Sequence, residues 1–252
     1  MKRYRMLLII PSLLLLGCQS QKEITPEEAK EIVLQIKDNN DYSNFTFKLT
    51  NKGEMGKGED KISVDLSYTF QYTPDAYYSF FKGHQGDTNY DIEMYCAKEN
   101  EYGEVKYVRY FDTKKNEYIK SIAVSKDNKE YHTAFSELGA YRVNSMVNYY
   151  LKVGEYSEKL DESDTMKFYS SKDGELTIKL ISNDKNASSN PDETTAKGES
   201  TYKYENYRFV SVVGDTTSNY GNKWITNGSV DYETEVKVEL PSDWKSLIKL
   251  EA

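Results

Sequence analysis

Between Lys61 and Tyr72 every even position is apolar (Ile62, Val64, Leu66, Tyr68, Phe70, Tyr72) and every odd one is polar (Lys61, Ser63, Asp65, Ser67, Thr69, Gln71). A period of two sustained over that length describes a β-strand with one face in a core and the other in water. The run also exceeds an ordinary strand of about five or six residues, and long strands favour a strongly curved sheet or barrel over a small sandwich. The same alternation recurs in Phe45, Phe47 and Leu49 before it and in Tyr90, Ile92, Met94 and Cys96 after it. Turn-rich links, Asn51 to Asp60 and Lys82 to Asp87, separate these runs, so an antiparallel meander is the simplest path.

Further strands are expected at 105–111 and 118–124, around a turn at Asp112 to Asn116, and again at 166–169, 175–181, 201–213 and 224–240. Composition agrees, because the 23 tyrosines are strong strand formers whose rings bury while their hydroxyls stay wet. Two helical stretches interrupt the pattern. Thr25-Pro26-Glu27-Glu28 reads as an N-cap, a proline in the first turn and a capping-box glutamate. Ala29, Ile32, Val33 and Ile36 then give one apolar stripe, which Asp38 to Asp41 ends. A looser helical period starts near Thr133 (Phe135, Leu138, Met146, Tyr149, Tyr150) and ends before Asp161. The expected fold is mainly β (α+β): a long curved antiparallel sheet or half-barrel, with an N-terminal amphipathic helix and a mid-chain helical segment packed on it. Residues 25–252 read as one domain, and the polar stretch 183–199 reads as a mobile loop.

Little in the chain points to catalysis. The two histidines, His84 and His132, do not stand at metal-ligand spacing with each other or with a cysteine. There is no phosphate-binding glycine loop, nucleophile elbow or HExxH run. The expectation is a protein that is not an enzyme and needs no metal or cofactor. A formal charge of −8 argues against nucleic acid as a partner.

The N-terminus gives an address. Lys2, Arg3 and Arg5 precede a short apolar run, Met6 to Leu16, which is well under the roughly 20 residues a spanning helix needs. Leu15-Leu16-Gly17-Cys18 at its end resembles the lipobox of bacterial lipoproteins. That resemblance implies a signal peptide over 1–17, recognised by its peptidase through Leu15, Leu16 and Gly17, and acylation of Cys18. A lipidated tether, 18–24, would then hold the domain at the extracytoplasmic face of a cell membrane by acyl chains, with more than one chain making the anchor stable. Gln19 after the cysteine implies sorting to the outer membrane where a cell has one. Loss of the signal takes the formal charge from −8 to −11 and leaves Cys96 as the one thiol besides Cys18. Its place in an apolar alternation marks Cys96 as a buried hydrophobe.

The order of a tethered amphipathic helix, Phe45-Thr46-Phe47-Lys48-Leu49, long alternating strands, Thr73-Pro74-Asp75-Ala76-Tyr77-Tyr78, a helical interruption and a closing Val236-Lys237-Val238-Glu239-Leu240-Pro241 resembles the lipoprotein-carrier half-barrel family of lipid-binding envelope proteins. The resemblance implies an apolar concave face for acyl chains, here Ile62, Val64, Leu66, Tyr68, Phe70, Tyr72, Val230, Tyr232, Val236 and Val238. The same residues serve equally as a plain core. Two roles follow from the sequence: a non-catalytic binding or carrier module for a hydrophobic envelope ligand, or a surface adhesion or glycan-binding lipoprotein that uses its tyrosines.

Overall fold

The computed structural model describes residues 21–38, 43–56, 58–98, 103–124, 166–182, 196–218 and 222–247. Helix α1 (Pro26–Asp38) follows a short strand β1 (Lys22–Ile24). The N-terminal meander then comprises β2 (Phe45–Met55), β3 (Ile62–Tyr72), β4 (Ala76–Gln85), β5 (Thr88–Ala97), β6 (Val105–Asp112) and β7 (Glu117–Val124). A second meander comprises β8 (Met166–Ser170), β9 (Leu176–Ser182), β10 (Ala196–Glu205), β11 (Arg208–Ser218) and β12 (Lys223–Asp231). All twelve form one antiparallel sheet in the order β1-β8-β9-β10-β11-β12-β2-β3-β4-β5-β6-β7, which is not closed. Among the described residues only two pairings join strands far apart in sequence. The β12–β2 seam fuses the meanders, and β1 adds to the edge of β8.

The capping box forms as its residues require: Glu28 N donates to Thr25 Oγ1 at 3.2 Å, and Thr25 N donates back to Glu28 Oε2 at 2.8 Å. The helix buries Ala29, Val33 and Ile36. Beneath it, the even row of β3 meets the odd row of β2 in register, Phe70 beside Phe47 and Tyr68 beside Leu49. The resulting cluster joins the helix stripe to Phe168 of β8, Ile178 of β9, Tyr202 of β10, Phe209 of β11 and Phe70 of β3. In a flat sheet β8 and β3 would stand six strand spacings, roughly 29 Å, apart. A helix is only about 10 Å across, so the sheet curls around α1.

Glycines permit that curl where neighbouring backbones close up. A Cβ on Gly53 would lie 1.7 Å from the Lys223 carbonyl oxygen across the seam. One on Gly83, which has a φ of 141°, would lie 1.9 Å from the Asp65 oxygen.

The structure differs from the sequence expectation at several boundaries. Residues 76–85 form a full strand where the reading had a turn beginning at Lys82, and β2 runs on to Met55 through the expected Asn51 link. The 201–213 stretch is a hairpin, not one strand. It turns at Asn206 and Tyr207 with positive φ of 50° and 58°, so no glycine marks it. The last strand stops at Asp231 rather than Leu240, because the Asp231 carboxylate accepts from the Glu233 and Thr234 amides at 2.9 and 3.1 Å and turns the chain. Lys22–Ile24, read as tether, pairs with β8. Residues 196–199 belong to β10, and the rest of the expected loop lies outside the described residues, as do the helical stretch from Thr133 and the first twenty residues. No helix among the described residues is long and apolar enough to cross a membrane.

Because Gly83 needs both a positive φ and the absence of a Cβ, Gly83→Ala should lower unfolding free energy by about 2 kcal/mol or more. Denaturant titration by circular dichroism reads this directly. A solvent-face change such as Thr69→Ala should move the midpoint far less.

Candidate functional site

The ten residues expected to line a ligand cavity separate into three groups. Phe70 is buried in the α1 cluster, and Tyr68, Tyr72, Val230 and Tyr232 pack half-buried against it. Their rings are in mutual contact: Phe45 lies 5.3 Å from Tyr72 and 6.1 Å from Tyr232, and Phe70 lies 5.9 Å from Phe45. Together with the helix these aromatics fill this part of the inner face as a core. Val64 and Leu66 are buried farther along β3, where Ile62 emerges at 38 % exposure. Val236 and Val238 are not on a strand. Val236 is held by its amide, which donates to Asn44 Oδ1 at 2.8 Å. Beyond them the chain crosses to the outer face, where Leu240, Trp244 and Leu247 pack on Val105, Ile122 and Val124.

Beside the core a groove of roughly 790 Å³ opens between the β10–β11 turn and the end of β12. Glu205, Arg208, Asp231, Glu233 and Tyr232 dominate its wall. Arg208 lies 5.4 Å from the Tyr232 ring, and the Tyr232 hydroxyl donates to the Phe209 carbonyl at 2.9 Å. Asp231 is held below the usual carboxylate range, chiefly by the Thr234 side-chain hydrogen bond and then by the turn amides. These groups serve the turn and the rim, and the wall is too charged for an acyl chain.

The inner face continues past α1 onto β4, β5 and β6. There Ile92, Met94 and Val108 form a separate buried cluster, with Tyr77, Phe81, Tyr90 and Tyr110 half-buried around it. Tyr77 belongs to the margin of both clusters, and Phe81 stacks on Tyr68 at 4.5 Å, so the two apolar surfaces are continuous. No hydrophobic residue of α1 is among those that pack on this second cluster. Sequence reading found Tyr90, Ile92 and Met94 as a strand but did not place them beside Val108 and Phe81. The strand at 76–85 that brings them together carries aromatics on both faces and no clean alternation.

Among the described residues no group of three or more histidine, cysteine or carboxylate side chains is placed to hold a metal. His84 Nε2 lies 2.7 Å from Ser63 Oγ on an exposed edge, and His132 lies outside the described residues. No family model and no curated protein matches the chain. Among solved structures it is similar to a DUF1329 family protein from Desulfovibrio piger, with 10 % identity over 85 % of this chain and 96 % of that one, and a TM-score of 0.31.

Cys96 is fully buried, as its alternation predicts. Burial, with the Glu104 charge acting in the same direction, pushes its thiol up to about 11. An acid whose folded pKa lies above its unfolded value of about 8.5 favours the folded state below that value, and this contribution is lost as pH rises through 11. In a Cys18→Ser background, alkylation at pH 8 should therefore be on the order of a hundredfold slower in native protein than in denaturant, from the thiolate fraction alone. Equal rates would show the site to be open.

Proposed function

We propose that this protein is a lipid-anchored, extracytoplasmic binding module, not an enzyme, that carries a hydrophobic envelope ligand on the inner face of β4–β6. The observation that carries this reading is the second apolar cluster around Met94 and Val108, which extends the core surface beyond the reach of α1. Its composition suits an acyl chain: aliphatic side chains at the centre, an adaptable methionine, and half-buried tyrosines whose hydroxyls meet a headgroup at the margin. The half-barrel expected from the sequence agrees with a curled, open twelve-stranded sheet. The Leu15-Leu16-Gly17-Cys18 signal supports acylation and tethering at the membrane where such a ligand resides.

Full-length protein purified in detergent and extracted with organic solvent should yield stoichiometric lipid beyond the acyl groups bound to Cys18. A fluorescent fatty acid should bind and be displaced by that lipid. Val108→Trp, which overpacks the fully buried centre of the cluster, should weaken binding at least tenfold with circular dichroism unchanged. Radiolabelled palmitate should enter the wild-type chain and not Cys18→Ser. Absence of extractable lipid together with no fatty-acid binding would show this face to be plain core and overturn the proposal.

A further inference from the structure

The outer face of β4–β7 bears a second surface that the inner-face reading does not use. Strand register brings Tyr78 opposite Tyr95, Phe80 opposite Glu93, Lys82 opposite Asp91, Glu93 opposite Arg109 and Phe111 opposite Tyr118. The aromatic rings form a platform: Tyr78 and Tyr95 are 4.7 Å apart, and Phe111 meets Tyr118 edge-on at 5.2 Å. Tyr118 is 47 % exposed although the Arg109 guanidinium covers one side of its ring at 4.4 Å, so the exposed area belongs to the rest of the ring.

Within this platform the polar groups are only partly satisfied. Arg109 Nε donates to Glu93 Oε2 at 2.8 Å, and the Tyr118 hydroxyl donates to Asp91 Oδ2 at 3.0 Å. Asp91 Oδ1 is buried with no hydrogen-bond partner. That oxygen is closed to solvent, so the carboxylate acts here by fixing the exposed Tyr118 ring through Oδ2. Burial pushes the Tyr78 and Tyr95 hydroxyls up, which keeps both as neutral donors at any physiological pH. Asp91 and Glu93 are offset by Arg109 and Lys82, so the patch selects neither an anion nor a cation. It also lacks a metal-holding group.

We propose that this face binds a neutral glycan. Tyr107, which pairs with Tyr95, and Phe111, which pairs with Tyr118, are four residues apart on β6, so successive sugars of an oligosaccharide offer apolar C–H faces to Tyr118 and to the Tyr78–Tyr95 pair, and hydroxyls that exchange hydrogen bonds with the tyrosine hydroxyls. The C-terminal segment, packed through Leu240 and Trp244 on β6 and β7, forms one wall of the platform.

The test uses the full-length lipoprotein in a polyoxyethylene detergent, because a maltoside would compete. It is applied to an array of neutral, acidic and sulfated oligosaccharides from bacterial walls and host surfaces. Wild-type protein should retain neutral oligosaccharides. Tyr118→Ala should weaken retention at least tenfold and Asp91→Ala, which releases the Tyr118 ring, should weaken it less, both with unchanged circular dichroism, and the inner-face variant Val108→Trp should bind glycan as wild type. No retention by the wild type, retention of charged glycans only, or undiminished binding by both outer-face variants would overturn the proposal.

Discussion

The contact between the apolar stripe of α1 and the aromatic inner face of β8 through β3 is what the rest of the structure depends on. A 13-residue helix is too short to be stable alone in water. A sheet this wide, with Phe45, Phe47, Phe70, Phe168 and Phe209 on one face, cannot remain flat with that face in water. Each fully buried aliphatic or aromatic side chain contributes about 1.5–3 kcal/mol, so Val33, Ile36 and the rings beneath them stabilise one another. The sheet curls because one helix must be reached from seven strands. Glycines at the tight approaches let it do so.

That arrangement divides the inner face unequally. The half under α1 is a packed core, and the half on β4–β6 is apolar yet beyond the helix. Tyr77 and the Tyr68–Phe81 stack join the two halves, so the second surface inherits a rigid floor from the first. The outer face is polar over most strands but becomes aromatic on β4–β7, where cross-strand pairing gathers tyrosines around Asp91. One sheet thus offers two chemically distinct surfaces. Exposed ion pairs such as Lys52–Asp65 contribute little to holding either.

Much of the fold was legible in the sequence. Strict alternation located β3, β5 and the first part of β2, and the Thr25–Glu28 capping box located α1 to the residue. What escaped were places where local chemistry contradicts alternation. Alternation runs on through Val236 and Val238 although Asp231 has already turned the chain, and an Asn206-Tyr207 turn without glycine hides the β10–β11 hairpin. Strand β4 places tyrosine and phenylalanine on both faces, so no period reveals it, and without β4 neither the Met94 cluster nor the outer aromatic platform can be assembled. Of the predicted cavity row, Tyr68, Phe70 and Tyr72 of β3 with Val230 and Tyr232 do share one apolar cluster. Its occupant, the chain's own helix, is a tertiary fact that the periodicity of β3 alone does not contain.

If α1 permanently occupies its half of the inner face, ligand engages only the half beyond it. Hydrogen–deuterium exchange with and without bound fatty acid tests this most directly. The amides of α1 and of β2, β3 and β12 should be strongly protected in both states, with ligand slowing exchange only in β4, β5 and β6. Loss of protection in residues 26–38 on ligand binding would contradict the account, because it would show that the ligand displaces the helix and takes the core it fills.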